Sequence, residues 1–523
     1  MPFGAGKVAL FGAAGSGGDA LGYVLLWGDP DNAGGVAAET YPYDIELLAS
    51  GTDVRVGGRW NTSTSNTQRI ATAGLDLSGG YGTAPATTTG QNSWNFSHSA
   101  PTYDGIYNSA GAMWIDGSDN MYSCGHGAYD ASYGYYNTGV VKLDSSQAVQ
   151  WNVNYKANNS YPYGFQNGIV WKSETSGYVG MMGIVYNLRN GTYKQRMQML
   201  ILDDSDGSAT YGKYAAPNND TYTGSTTNGA GMRSGFNGDK FATTMGYHSS
   251  AGYQMVAPML WTAESANFQN EWTIGDCEIR SQSSGGNSIY GAGVCIDSSD
   301  NVYVLSNFGA TAISGSYTPT NMAITKFTSG GTYSWTYVLR QQAGGEETSL
   351  SGGGIDISAD GNDLFVSGYS TNIGGSVNSP VIAKLDVSGA TPSLTWITQF
   401  ASATYSCFSQ NLKLIGTDTV VSFGYGQTDP TANVVGVLVA ANQDGSTLGS
   451  ATVDDVAWTA TDISSYIVFA DGASGGTANV DIINETGSGF TYTTGTETTA
   501  GSTPTWVNGA TSPTIQVESG GFE

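Results

Sequence analysis

The hydrophobic positions of this chain come in short alternating runs broken by turn residues, and the clearest set extends from Val294 to Trp335. It opens with Val294-Cys295-Ile296, passes a polar Asp297-Ser298-Ser299-Asp300-Asn301 stretch and resumes at Val302-Tyr303-Val304. Ala323-Ile324-Thr325-Lys326-Phe327 and Tyr333-Ser334-Trp335-Thr336-Tyr337 follow. Period-two alternation of β-branched and aromatic residues predicts four antiparallel strands, joined by a tight turn, a longer loop and a second tight turn. One such sheet cannot bury its apolar faces alone, so it needs neighbours of its own kind.

Two further stretches repeat the order. Met113-Trp114-Ile115-Asp116-Gly117-Ser118-Asp119-Asn120-Met121-Tyr122 leads to Val140-Val141-Lys142-Leu143-Asp144 and Trp151. Ile355-Asp356-Ile357-Ser358-Ala359-Asp360 leads to Ile382-Ala383-Lys384-Leu385-Asp386 and Trp396. Weaker copies begin at Ile45, Gly168, Met232 and Leu412. Asp144, Asp203, Asp386 and Asn442 hold like positions, and four strands per unit at a near-constant period predict a propeller. The expected fold is all-β: a β-propeller of seven four-stranded blades over residues 43–458, with an N-terminal arm at 1–42 and a C-terminal β extension at 459–523. The arm is expected to serve attachment or to dock strands on the last blade. A terminal strand is expected to close the ring, because a ring must remove its own free edges.

The recurring Ile-Asp-x-Ser-x-Asn-x-Tyr, Ala-x-Lys-Leu-Asp and Trp elements resemble the bacterial-type β-propeller repeat of secreted and surface proteins. That resemblance implies the fold and almost nothing about chemistry, since propellers host many unrelated functions.

Composition agrees with turn-rich β structure. Among 523 residues there are 75 Gly and 32 Tyr, while only 12% are charged, so almost no helix is expected. The net charge of −25, with 18 Lys and Arg in all, leaves no basic stripe for a phosphate backbone, and no nucleic-acid partner is expected. No stretch approaches membrane-spanning length, so no membrane insertion is expected. Lys7 to Phe11 is too short an apolar run for a secretory signal. The glycine run at Gly12 to Gly18 lacks the Lys-Ser/Thr ending of a phosphate loop. Cys124, Cys277, Cys295 and Cys407 form no Cys-x-x-Cys pair and read as buried free thiols, although Cys277 and Cys295 sit where one unit passes to the next.

Candidate chemistry is sparse. The three histidines, His98, His126 and His248, belong to no His-Glu-x-x-His or other zinc-ligand pattern, and there is no Gly-x-Ser-x-Gly elbow. Ser329 to Trp335 lacks the Asp of a sialidase Asp-box. The chain is therefore expected not to be an enzyme, though paired carboxylates for glycoside chemistry are invisible to sequence. Asp116 and Asp119, Asp297 and Asp300, and Asp356 and Asp360 alternate oxygens as calcium loops do, but lack the closing Glu. They read first as turn formers, and no cofactor is expected, with calcium the open alternative. Tyr129, Tyr133, Tyr135 and Tyr136, with Tyr155, Tyr161 and Tyr163 in the next connection, offer flat rings with hydroxyls suited to a cell-surface glycan or a protein interface.

A Gly/Thr/Ser/Tyr-rich β body without an export signal resembles in style the tail, fibre and decoration proteins of tailed-phage virions. That style implies a structural or adhesion role in the virion, with other virion proteins and copies of itself as partners and release by host lysis. The alternatives are a bacterial cell-surface or secreted adhesin, and a polysaccharide-active lyase or glycosidase.

Overall fold

The computed structural model describes residues 8–506 except 13–19, 28–39, 63–66, 79–85, 95, 98–109, 131–134, 147, 157–162, 174–176, 190–191, 218–232, 249–253, 263–268, 271–277, 282–288, 310–319, 344–345, 372–376, 428–433, 454–455, 472–479, 484–489, 495–497 and 500–504. Strands dominate the described residues, and their one helical element is a single 3₁₀ turn at Ser464–Tyr466.

Among the described residues, seven sheets of four to six strands follow one another along the chain beside one two-stranded pair, every neighbouring pair antiparallel. Their first strands are Thr40–Leu47, Ala110–Ile115, Tyr163–Lys172, Arg233–Asn237, Ile289–Ile296, Leu350–Ile357 and Ser406–Ile415. Each first strand packs against the next, and Ser406–Ile415 packs back on Thr40–Leu47. This is the all-β architecture that the alternating pattern predicts. Apolar side chains fill the gaps between consecutive sheets: Ile45, Val54, Val56 and Leu75 of the first meet Val421, Phe423 and Leu438 of the seventh.

The repeat motif is legible in its hydrogen bonds. Asp116 Oδ1 accepts the N–H groups of Ser118 and Asn120, each at 2.9 Å, while Oδ2 accepts Asn120 Nδ2 at 2.9 Å and the Tyr122 hydroxyl at 3.2 Å. Asp297 repeats the set with Ser299, Asn301 and Tyr303. The turn forces Asp119 and Asp300 to φ of 61° and 62°, a region that Asp tolerates better than bulkier residues. Lys142, Lys326 and Lys384 place their ammonium groups over the rings of Tyr122, Tyr303 and Phe365 at 4.9–5.5 Å.

The fourth-strand tryptophans join neighbouring sheets. Trp151 Nε1 donates to the Asp204 carbonyl at 2.7 Å, and Trp396 Nε1 to the Gln443 carbonyl at 3.2 Å, both on turns of the following sheet. Gly207 and Gly445, at φ of +72° and +82°, lie under those rings, and a Cβ on either would come within 2.6 Å of the indole. Glycine there supplies both the left-handed turn and the room for the wedge.

Both chain ends join the sheets. Ala20–Trp27 pairs with Val435–Asn442 of the seventh sheet and Val8–Gly12 pairs outside it, so the expected arm contributes strands. The C-terminal segment runs around the periphery in reverse order. Val456–Asp462 adds to the sixth sheet, Ile467–Asp471 to the fifth, Val480–Ile483 to the fourth, Phe490–Thr494 to the third and Thr498–Thr499 to the second. Thr505–Trp506 then meets Phe96–Ser97. These additions explain why several sheets exceed the expected four strands.

Candidate functional site

A cavity of about 310 Å³ opens among the first strands, lined by residues of the first, second, fourth, fifth, sixth and seventh sheets. The local sequence makes it in two ways. Gly353 and Gly354 let neighbouring first strands approach closely, since a Cβ on them would lie 2.1 Å from the Ser409 carbonyl oxygen and 2.4 Å from the Leu412 nitrogen. Register shifts also interrupt the first strands between Pro42 and Asp44, Gly352 and Gly354, and Ser409 and Asn411. A bulge bends a strand and re-aims the side chains beside it.

The polar wall is built from three sheets. Asp44 Oδ1 accepts its neighbour Ile45 N–H at 2.9 Å and Oδ2 accepts the Met113 N–H of the second sheet at 2.8 Å, while Asn411 Nδ2 of the seventh sheet also donates to Oδ1. Glu46 Oε2 receives Lys413 Nζ at 2.9 Å across the first–seventh junction. Asp356 Oδ1 accepts Ile357 N–H at 2.9 Å and Oδ2 accepts Leu414 N–H at 3.0 Å. On the other side, Trp114 and Phe236 place ring centroids 4.3 Å apart.

Electrostatics divides these groups. Burial pushes the Glu46 carboxyl up to about 7; Lys413 opposes the shift, and the charges of Asp44 and Asp356 add to it. Burial likewise raises Asp356, against the pull of Lys413 and of its two backbone donors. For Lys413 burial disfavours the ammonium, but Glu46 and Asp356 outweigh it and hold the group above the ordinary lysine value. Glu46 is thus a carboxyl that exchanges its proton near neutrality, beside Asp356, which burial raises in the same direction.

A second charged cluster lies between the second and third sheets. Asp204 Oδ1 takes Lys142 Nζ and the Tyr122 hydroxyl, both at 2.7 Å, and Lys172 Nζ reaches Asp116 Oδ2 at 3.0 Å and Asp204 Oδ2 at 3.3 Å. Burial raises Asp116, but its amide, lysine and backbone donors prevail and hold it below the usual carboxylate range. This cluster is a tie between sheets.

The residues singled out in the sequence fall in several places. Asp116 and Asp297 spend their oxygens on their own turns, and Asp116 also takes Lys172 of the third sheet. Asp119 Oδ1 accepts the Ala49 N–H at 2.7 Å, whereas Asp300 takes Asn237 Nδ2 at 2.9 Å and Lys240 Nζ at 3.1 Å. Asp360 accepts from Ser358 and Asn362. Among the described residues no group of three or more His, Cys, Asp or Glu converges as a metal site. Of the six aspartates only Asp356 lines the cavity. Tyr129, Tyr135 and Tyr136 lie on paired strands of the second sheet, Tyr155 on its fourth strand and Tyr163 on the first strand of the third. Their side chains, and Tyr133 and Tyr161 altogether, lie outside the described residues, as does Cys277. Cys295 and Cys407 are buried free thiols, and Cys124 is buried as well.

Sequence reasoning missed Asp44, Glu46 and Lys413. The signal was present: Ile45-Glu46-Leu47, Ile355-Asp356-Ile357 and Leu412-Lys413-Leu414 each set a charge inside an apolar first strand.

No protein-family model matches the sequence, and no curated protein does. Among solved structures the chain is similar to a polysaccharide lyase described as an ulvan lyase, at 10% identity and a TM-score of 0.41, covering 77% of this chain and 94% of that one. It is also similar to the β-propeller domain of the Trilobed protease from Pyrococcus furiosus, at 9% identity and a TM-score of 0.37, covering 77% and 94%. A third is the NanB sialidase from Streptococcus pneumoniae, at 12% identity and a TM-score of 0.36, covering 78% and 68%. At such identities the likeness concerns the fold alone: all-β, of the β-propeller class. It nonetheless corrects the expectation that the chain is not an enzyme. A lyase and a sialidase stand among the similar structures.

Proposed function

We propose that the seven sheets are the blades of a closed propeller whose central cavity binds and processes a glycan, with Glu46 as the proton-transferring carboxyl and Asp356 as the second carboxyl beside it. The observation carrying this reading is the Glu46–Lys413 pair facing Asp356 and Asp44 across a cavity walled by Trp114 and Phe236. Apolar rings suit the C–H faces of a sugar, and open carboxylate oxygens suit its hydroxyls. In hydrolysis, one carboxyl protonates the leaving oxygen while a second carboxylate serves water or the anomeric carbon. No comparison bears on the particle-assembly role that the sequence style implies; the glycan reading rests on the cavity.

The test is a polysaccharide panel assayed for new reducing ends, with the full-length protein and Glu46→Gln in parallel. Release by the wild type and loss in the variant is the expected result. Products with unsaturated ends would assign elimination instead of hydrolysis, and activity untouched by the substitution would overturn the role of Glu46.

A further inference from the structure

The two ends of the sequence join the sheets on different terms. Among the described residues, six of the seven sheets draw at least four strands from their own stretch of chain. The seventh draws three, Ser406–Ile415, Thr419–Gln427 and Val435–Asn442, and takes its fourth, Ala20–Trp27, from far away in the sequence. That strand is integral, because it completes a sheet and sets Val24, fully buried, in the core between the sixth and seventh sheets.

The segment from Val456 to Trp506 does the opposite. Each of the sheets from the sixth back to the second, to which it adds a strand, already has four, so taking the segment away uncovers edges without unmaking a sheet. In a repeat array each unit touches its neighbours, and a junction opens for the cost of its own interface. A segment laced across successive sheets alters that, because parting two of them also pulls a strand from an edge. Its near part is fastened by side chains. Trp458 and Ile463 are buried, and the Trp458 ring stacks on Tyr405 at 6.1 Å. Ile397 N–H donates to Ser464 Oγ at 3.3 Å, and the Phe469 ring stacks on Tyr337 at 4.9 Å. Its strands shorten with distance, from seven residues at Val456–Asp462 and five at Ile467–Asp471 to two at Thr498–Thr499 and two at Thr505–Trp506. A two-residue strand has few ladder hydrogen bonds to lose, so opening there costs least.

We propose that the segment beyond Asp471 is a supernumerary strap: it opens stepwise from its far end, and it slows unfolding by tying sheets that are complete without it. The proposal is independent of the glycan reading.

The experiment combines hydrogen exchange of the full-length protein, read by mass spectrometry, with unfolding rates in denaturant for the full-length protein, a chain ending at Asp471 and Val24→Asp. Protection is expected to be lowest at Thr498–Thr499 and Thr505–Trp506, and to rise through Phe490–Thr494 and Val480–Ile483 to Ile467–Asp471. The shortened chain is expected to keep its circular-dichroism spectrum and a single transition. It should unfold at least about tenfold faster, the effect of a hydrogen bond or two that are absent from the transition state. Val24→Asp, which puts a charge in the core, is expected to lose the cooperative transition. An unfolding rate unchanged by the truncation would make the strap a passive covering. Failure of the shortened chain to fold would make the strap integral, and even protection along it would remove the stepwise opening. A Val24→Asp protein as cooperative as the wild type would erase the distinction between the two ends. Any of these four results overturns the proposal.

Discussion

The two charged clusters use the same residue types to opposite ends. Between the second and third sheets, Asp116 and Asp204 are saturated by Lys142, Lys172, Tyr122 and backbone N–H groups. Around the cavity, Glu46 has one lysine for company and two further carboxylates nearby. Burial raises the carboxyl in both places; at Asp116 the amide, lysine and backbone donors outweigh it, whereas at Glu46 a single lysine does not, and a proton is left to exchange. A carboxylate in a fold is therefore judged by its donors and its burial together.

The contrast can be broken most forcefully at Glu46. Glu46→Gln preserves shape and leaves an acceptor for Lys413, yet removes the titrating proton. Activity on the responsive glycan should fall at least about 100-fold, the lower range for a general acid, with the circular-dichroism spectrum unchanged. Asp204→Ala should do the reverse. It strands Lys142, leaves Lys172 with Asp116 alone, and costs about 3 kcal/mol in chemical denaturation, near the lower end for a broken buried pair, with the activity of the folded fraction kept. Tyr122→Phe removes one hydroxyl donor shared by Asp204 and Asp116 and should cost about 1–2 kcal/mol by the same measurement.

A subtler effect lies in pH. Glu46 has a folded-state value of about 7, above its ordinary 4.5, so the folded protein holds a proton that the unfolded chain releases. Its contribution to stability is complete below the ordinary value and is lost as pH rises toward 7. The wild type should therefore lose stability relative to Glu46→Gln as pH rises across that window, read by chemical denaturation, and an invariant difference would place Glu46 with the saturated cluster.

Much of the fold was legible because its determinants are local. Asp116, Asn120 and Tyr122 sit within one hairpin and recur as Asp297, Asn301 and Tyr303, so turn, strand and spacing can be read from a single stretch. The peripheral C-terminal strands were harder. Most of their partners lie far off in the chain, Ala215 for Tyr492 and Tyr155 for Thr499 among them, and nothing in a short run such as Phe490–Thr494 names the sheet it joins. The cavity fared similarly. Glu46 and Lys413 meet only because the seventh sheet packs on the first, and nothing local to Leu412-Lys413-Leu414 names its partner. What sequence did display was a charge between apolar neighbours on three first strands, a conflict that packing resolves only where those charges face one another.

The most direct test of the central claim is the titration of the Glu46 carboxyl itself, by infrared difference spectroscopy of the wild type against Glu46→Gln across the acidic to neutral range. The account predicts a protonated-carboxyl band, absent from the variant, that disappears with a midpoint near 7. A midpoint in the ordinary glutamate range would make Glu46 a permanent anion paired to Lys413, and the cavity a second structural tie.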